Sequence, residues 1–322
     1  MQAWEAVFDD LGLLLDAIRT RYEPTLLAPL QHRMAVVCLR RAALDDLEAV
    51  RKSLGAGETQ EAVLRQLDKQ LEGDPSARPV LEAIRPTGRA QAMQLINEAL
   101  EGDPDHAPSL RAAVALASVA GNWPEVVTWL ERLTHHEEGK AAGQTWQQLG
   151  DIHWRKLSAP KAARPCYVEA RQYLGDEPKL LDKQLKLDLE LENWEDAIQT
   201  CFGLIAHMRR RPGRPEMAVT YMLTMGEIHV YGMRQPSIAL AYYLMAMDTL
   251  PDYDLTYTLL QELLQTNPWA ELEPRLDALP EEQAQLIAQP LDLLKAAIGT
   301  HRDNAPAVVK TFRESMSSRA RR

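Results

Sequence analysis

Histidine and acidic side chains in adjacent positions are the first feature of this chain that suggests chemistry. His135 and His136 precede Glu137 and Glu138, but no histidine lies three or four residues further on. A zinc site on a helix needs that spacing, because its ligands must share one face. We therefore interpret residues 135–138 as a solvated loop between helices, and we expect no metal ion and no cofactor.

Cysteine usage and motif content also favour a protein without catalysis. Cys38, Cys166 and Cys201 are far apart and lie in apolar helical contexts, which favours buried thiols in a reducing compartment over disulfides. The chain contains no Gly-rich phosphate loop, nucleophile elbow or Cys-x-x-Cys pair. We predict that the protein is not an enzyme. The alternative is an enzyme with its site between the N-terminal section, residues 1–57, and the rest of the chain.

A basic loop is the strongest local charge feature, and it consists of Arg209, Arg210, Arg211 and Arg214. It fits a solvated connection at a helix C-terminus, an acidic protein partner or a nucleic-acid backbone. We favour the solvated connection, since the net charge of −10 disfavours broad binding to nucleic acid or anionic membrane.

Composition bounds the class and the location of the protein. Apolar residues make up 46% and charged residues 25% of 322 residues, as in soluble folded chains. Residues 1–15 carry acidic side chains and no basic segment, and no apolar run approaches the roughly 18–20 residues that span a bilayer. We predict no membrane insertion and a cytoplasmic location. The composition rich in Ala, Leu and Arg is typical of bacterial proteins from GC-rich genomes.

A long internal repeat organises the positions of these residues. The stretch Leu149–Ala170 recurs as Met225–Ala246 at an offset of 76 residues. This offset equals two helix pairs of about 34–40 residues each, which is the size of units in helical repeat proteins. Identical residues at the offset are Gly150/Gly226, Ile152/Ile228, His153/His229, Pro160/Pro236, Ala163/Ala239, Tyr167/Tyr243 and Ala170/Ala246. Because the two histidines share a repeat position, we predict one role for both, a packed and hydrogen-bonded imidazole.

Apolar periodicity places helices on both sides of this repeat. The predicted pairs are 109–120 with 123–134, 144–156 with 161–173, 179–191 with 194–208, 215–231 with 236–250, and 254–265 with 269–279. Earlier in the chain we predict a helix at 3–18, a continuous helix through 32–52, and helix stops at Gly73 and Gly102, where glycine can adopt a left-handed conformation. One extra residue between Trp146 and Ala163 predicts a longer turn in that pair.

Within the pairs, the large and small residues resemble the tetratricopeptide repeat pattern across about residues 60–280. The best match is Trp146, Leu149, Gly150, His153, Ala163, Tyr167, Ala170 and Pro178, followed by Met222, Met225, Gly226, His229, Ala239, Tyr243, Ala246 and Pro251. The resemblance implies an all-α fold, a right-handed α-solenoid of antiparallel helix pairs with helical caps. We predict four sections: an N-terminal cap at 1–57, degenerate repeats at 58–105, regular repeats at 106–280, and capping helices with a basic tail at 281–322. A helical adaptor unrelated to the repeats is the alternative for the first section.

The resemblance also implies where a partner binds. In this family the first helix of each pair lines a concave groove, which here predicts the binding residues Arg111, Gln147, Gln148, Asp151, Arg155, Lys183, Lys186, Thr224, Glu227 and Tyr231. Gln147 and Asp151 replace the basic and amide residues of the family's carboxylate clamp, which disfavours binding of chaperone tails.

The sequence therefore predicts a non-enzymatic scaffold or adaptor that binds a protein or peptide segment in this groove. A regulator whose solenoid changes curvature on ligand binding is the main alternative. Self-association through an uncapped end is also plausible, and nucleic acid is a disfavoured partner.

Overall fold

The computed structural model describes residues 2–19, 25, 27–55, 58–74, 76–210, 215–301 and 304–320, without the side chains of 2–5, 8, 15, 18–19 and 209–210. Every regular element in these ranges is helical, and no β-strand occurs among them. The helices are α1 (Gln2–Arg19), α2 (Ala28–Asp45), α3 (Leu47–Leu54), α4 (Gln60–Leu71), α5 (Pro86–Gly102), α6 (Ala107–Ala120), α7 (Trp123–Leu133), α8 (Gly139–Arg155), α9 (Pro160–Leu174), α10 (Pro178–Glu190), α11 (Trp194–Arg210), α12 (Pro215–Glu227), α13 (Pro236–Thr249), α14 (Asp254–Thr266), α15 (Trp269–Leu276), α16 (Glu281–His301) and α17 (Ala305–Ala320). A 3-10 turn lies at Leu81–Ala83 and a π-helical turn at Ile228–Gly232.

The helices form two compact units, Met1–Leu174 (unit 1) and Gly175–Arg322 (unit 2). Within unit 1, α6 packs against α7 and α8 against α9 as antiparallel pairs, and within unit 2 the pairs are α10 with α11 and α12 with α13. The predicted all-α fold class is confirmed, and antiparallel helix pairs occur within each unit. The predicted section boundaries at residues 57, 105 and 280 stay predictions.

The contact between glycine and tyrosine is what makes the two best pairs equivalent. A β-carbon at Gly150 would lie 2.8 Å from Cε1 of Tyr167, and one at Gly226 would lie 2.8 Å from Cδ1 of Tyr243. Both tyrosine rings are almost completely buried. The first helix of each pair therefore approaches the second closely only because the crossing point has no side chain.

Turns within the pairs alternate between a short and a long form. In the short form, Gly121 and Glu192 have left-handed φ values of 74° and 58°. The N–H of the next residue donates to the carbonyl five residues before it, at 3.1 Å for Asn122 and 2.8 Å for Asn193. This is the six-to-one hydrogen bond of a Schellman motif. The alternation gives the two-pair period a physical basis.

In the long form, Ser158 and Arg234 hold the left-handed position, with φ of 51° and 56°. The following N–H donates one residue further back than in the short form, from Ala159 to the His153 carbonyl at 2.8 Å and from Gln235 to the His229 carbonyl at 2.6 Å. The longer turn predicted from the spacing is confirmed, and it is repeated at the offset of 76 residues.

The N-terminal region differs from the sequence-based expectation. The predicted continuous helix through 32–52 is broken at Asp46, which has φ −100° and ψ 22° and separates α2 from α3. The Asp46 carboxylate accepts hydrogen bonds from the Arg85 backbone N–H at 2.9 Å and from the Arg85 guanidinium. These two hydrogen bonds hold Asp46 against the start of α5 and so stabilise the break between α2 and α3. In α1, Val7 is exposed and Leu11 is half-buried against the α2 region.

The two predicted glycine stops behave differently. Gly73 follows α4 with φ of 79°, as expected. Gly102 is the last residue of α5, and no left-handed φ is found there; the helix ends at Asp103 in an extended conformation. The prediction of a left-handed stop at Gly102 was wrong, because the following Asp-Pro dipeptide ends the helix without it.

The last two helices complete the core of unit 2. α17 packs against α14 and α16, and α16 packs against α13. Phe312 is fully buried, and its ring lies 6.2 Å from that of Tyr257. These contacts cover the α13–α14 side of the unit with apolar side chains.

Candidate partner-binding faces

The candidate binding residues of unit 1 lie on the first helices α6 and α8. On α8, Gln148 and Arg155 are exposed, whereas Gln147 and Asp151 are half-buried. The Arg155 guanidinium lies 5.6 Å from the centroid of the Trp154 ring. Gln148 and Arg155 are therefore the side chains of this helix most available to a partner.

Asp151 also has a structural partner. Its carboxylate accepts a hydrogen bond from the Tyr167 hydroxyl at 2.7 Å. Burial and this bond to an acidic partner raise the pKa of Tyr167 well above its usual value. A change at Asp151 would therefore disturb the packing of the α8–α9 pair as well as any binding face.

Arg111 of α6 is held by a buried acid. Its Nε donates to Glu137 Oε1 at 3.0 Å, and the Thr145 hydroxyl donates to the other carboxylate oxygen. The Glu137 side chain is only 6% exposed, so the predicted solvated loop at 135–138 was wrong at this residue. His135 and His136 remain exposed there, and His136 lies 3.2 Å from Asp105.

The candidate residues of unit 2 lie on α10, on α12 and in the π-helical turn. Lys186 is exposed and pairs with Asp182 at 2.7 Å, and Lys183 is half-buried. Thr224 is half-buried, and its hydroxyl donates to the Thr220 carbonyl at 3.0 Å. Lys186 and Thr224 are thus engaged within their own helices.

Tyr231 and two acids form a distinct patch on unit 2. Tyr231 is 64% exposed, and its hydroxyl donates to Glu262 Oε1 at 3.0 Å. Glu227 is exposed as a residue, but its carboxyl is partly buried. This partial burial and the nearby Glu262 charge raise the pKa of Glu227. The patch combines a large aromatic ring, held in place by a hydrogen bond, with negative charge.

The repeated histidine has the predicted role at its second position. His229 is 6% exposed, its Nδ1 lies 3.1 Å from Gln235 Oε1, and its ring stacks on Tyr242 at 5.4 Å. His153 is half-buried, and its backbone carbonyl accepts the bond of the long turn. The feature that His153 and His229 share is therefore the backbone hydrogen bond that closes the long turn.

The cysteine thiols are unsuited to nucleophilic catalysis. The three cysteines are buried, and burial raises the pKa of Cys38 and Cys166 to about 11 and that of Cys201 to about 12. These thiols stay protonated at neutral pH and are poor nucleophiles. Within the described residues, no three His, Cys, Asp or Glu side chains are grouped to hold a metal ion.

Two remaining sequence features concern charge and membranes. The loop of Arg209, Arg210, Arg211 and Arg214 lies outside the residues whose side chains the structure describes. Among the described helices, none is both long and apolar enough to cross a membrane.

Unit 1 contains a histidine–serine cluster that the sequence did not predict. His32 and His106 meet edge to face at 5.5 Å, and His106 Nδ1 lies 2.8 Å from the Ser109 hydroxyl. Ser109 is fully buried, so no substrate can reach it. Burial, followed by the charges of His106 and Arg33, lowers the pKa of His32 to about 4, and burial also lowers that of His106.

This cluster predicts acid sensitivity. The folded-state pKa of His32 lies below the unfolded value of 6.5, so its stabilising contribution is complete above pH 6.5 and is lost as the pH falls towards 4. Between pH 7 and pH 5 we expect the free energy of unfolding to fall by about 2 kcal/mol. Urea titrations should show this loss in the wild type and in His135→Gln, which alters an exposed histidine. A pH dependence unchanged in His32→Gln would contradict it.

Together, these features define an all-α helical repeat protein: antiparallel helix pairs, glycine–tyrosine crossings and a turn geometry that repeats with the sequence. This assignment rests on packing inside each unit, because the same glycine–tyrosine contacts and turn hydrogen bonds recur at equivalent positions of the repeat.

Comparisons with known proteins give matches among solved structures only. No protein-family model matches the chain, and no curated protein does. The chain is similar to YrrB, a TPR protein with an unusual peptide-binding site, at a TM-score of 0.37 and 19% identity, over 53% of this chain and 82% of YrrB. It is also similar to a chain of the APC/C hetero-tetramer Cut9–Hcn1, at a TM-score of 0.32 and 9% identity, over 96% of this chain and 52% of that chain. Our chain thus spans about half the length of the second.

Proposed function

We propose that the protein is a non-enzymatic, cytoplasmic scaffold that binds a segment of another protein on the first-helix faces of its pairs. The observation that carries the proposal is Tyr231, a large aromatic side chain that is 64% exposed. Tyrosine is enriched among the residues that dominate binding energy, since it offers a large contact area at a low entropy cost.

Local structure supports this role for Tyr231. The residue lies in the π-helical turn Ile228–Gly232, and such turns are frequent at functional sites. Its bond to Glu262 orders the ring before a partner arrives, which reduces the entropy lost on binding. With Glu227 and Glu262 beside it, this face favours a partner segment that carries Lys or Arg.

On unit 1, the face is formed by Gln148 and Arg155 of α8, with Gln147, Asp151 and Arg111 as half-buried support. Asp151 should be left unchanged in any test, because it accepts the Tyr167 bond. The ligand-responsive regulator stays an alternative prediction, as does self-association.

The test is affinity capture from the native cell lysate with matched variants. We expect Tyr231→Ala to retain at most about a tenth of the partner, because loss of an anchoring aromatic costs about 2 kcal/mol or more and about 1.4 kcal/mol is already tenfold. Leu286→Ala shortens another exposed apolar side chain, on α16, and should capture the partner like the wild type.

Unit 1 is tested with charge-matched pairs. Gln148→Glu/Arg155→Glu changes α8, whereas Lys161→Glu/Gln172→Glu introduces the same charge change on exposed positions of the second helix α9. We expect only the α8 variant to lose the partner. Equal capture by all variants would place binding elsewhere and contradict the proposal.

A further inference from the structure

A cleft of about 560 Å³ with mixed polar and apolar lining opens in unit 2 beside the π-helical turn Ile228–Gly232. It lies between the residues that join α12 to α13 and those that join α14 to α15. The polar side chains that line it belong to Arg234, Ser237, Asn267, Glu271 and Arg275. The cleft is separate from the three cysteines and from the histidine cluster of unit 1.

Ser237 is the residue that points to a ligand. It is 2% exposed, and its hydroxyl has no hydrogen-bond partner within the described part of the chain. A buried hydroxyl without a partner is costly, so native structures rarely keep one without a reason. At the equivalent position of the first repeat, 76 residues earlier, the chain has the exposed Lys161. The serine is therefore not demanded by the repeat.

One backbone donor adds to this hydroxyl. Ser237 is the second residue of α13, a helix of 14 residues that begins at Pro236. Pro236 has no N–H, and the N–H groups of Ile238 and Ala239 donate to the Gln235 carbonyl, at 3.1 and 3.2 Å. The Ser237 N–H therefore remains for a ligand, at the end of the helix where the dipole is positive. Hydroxyl and amide donors thus meet where negative charge is favoured.

The charged side chains around the cleft also favour a negatively charged ligand. Arg234 and Arg275 are both exposed, and neither forms an ion pair with any described residue. Glu271 is the one acidic side chain among the lining residues, which leaves a net positive cleft in a chain of net charge −10. Arg234 also occupies the left-handed turn position with φ of 56°, which is unfavourable for a residue with a β-carbon.

We propose that this cleft binds a phosphate group, free or as the monoester of a small molecule. The hydroxyl and the backbone N–H of Ser237 would donate to its oxygens, and the Arg234 and Arg275 guanidiniums would balance its charge. Two arginines suit a phosphate dianion better than the single charge of a carboxylate. The proposal does not rest on the partner-binding function, and either can fail alone.

The test is calorimetric titration of the whole chain with inorganic phosphate, glycerol phosphate and acetate at constant ionic strength. We expect both phosphates to bind and acetate to bind at least about tenfold more weakly. Ser237→Ala and Arg275→Gln should each weaken phosphate binding by about tenfold, because each removes one donor group. Lys310→Gln, which alters an exposed cation of α17, should bind like the wild type.

A second readout separates binding from folding. Without phosphate, Ser237→Ala should melt at or above the wild-type temperature, since it removes an unpartnered buried hydroxyl. With phosphate, only the wild type and Lys310→Gln should gain thermal stability. Equal stabilisation of Ser237→Ala, no phosphate binding, or binding of acetate as tight as that of phosphate would each overturn the proposal.

Discussion

Replacing Gly226 with alanine is expected to lower the free energy of unfolding by about 3 kcal/mol, at the upper end of the usual cost of overpacking a core. The added β-carbon would lie 2.8 Å from Cδ1 of Tyr243 and closer still to Cε1. The tyrosine ring cannot move aside easily, because it is 2% exposed and lies in the main apolar core of unit 2. Urea unfolding followed by circular dichroism measures the loss.

The control for this substitution is Gly299→Ala. Gly299 lies inside α16, and nothing is within 4 Å of a β-carbon placed there. Alanine at an open helical position stabilises by roughly 0.5–1 kcal/mol, so this variant should gain stability. If Gly226→Ala behaved like Gly299→Ala, the close glycine–tyrosine crossing would not exist.

Replacing Glu137 with alanine is expected to cost about 2–3 kcal/mol. The substitution removes a buried carboxylate that accepts bonds from Arg111 and Thr145, and hydrogen bonds to charged groups are the stronger class. The Arg111 side chain is 31% exposed, so water can replace part of the lost interaction and the cost stays below that of a fully buried pair. Thermal and urea unfolding both report it.

Its neighbour provides the matched control. Glu138 is exposed, and its side chain makes no capping bond to α8, so Glu138→Ala should change stability by less than about 0.5 kcal/mol. Equal losses in the two alanine variants would mean that residues 135–138 are a solvated loop after all.

The repeated pairs were accessible from sequence because their determinants are close along the chain. Gly150 and Tyr167 are joined by one turn, so helical periodicity and a single close contact define the pair. The extra residue before Ala163 could be counted directly, and the structure shows it as the longer turn closed at His153. Local spacing was sufficient for these features.

Other features depend on residues far apart in sequence, which periodicity does not report. The break at Asp46 requires the backbone of Arg85, and the burial of Glu137 requires Arg111 from the preceding pair. His32 meets His106 only because α2 packs near the start of α6. Likewise, the missing partner of Ser237 can be seen only once its surroundings are known. The candidate binding residues were chosen from their positions in the repeat. Those positions do not report that Asp151 accepts a hydrogen bond from Tyr167 or that Arg111 donates one to Glu137.

Hydroxyl-radical footprinting of side chains, with and without the captured partner, tests the central claim most directly. Tyr231 is an exposed aromatic of the π-helical turn that follows the first helix α12, whereas Tyr173 and Phe202 are exposed aromatics of the second helices α9 and α11. We predict that the partner lowers oxidation of Tyr231 several-fold and leaves Tyr173 and Phe202 unchanged. Protection of Tyr173 or Phe202 with Tyr231 unaffected would contradict binding on the first-helix faces.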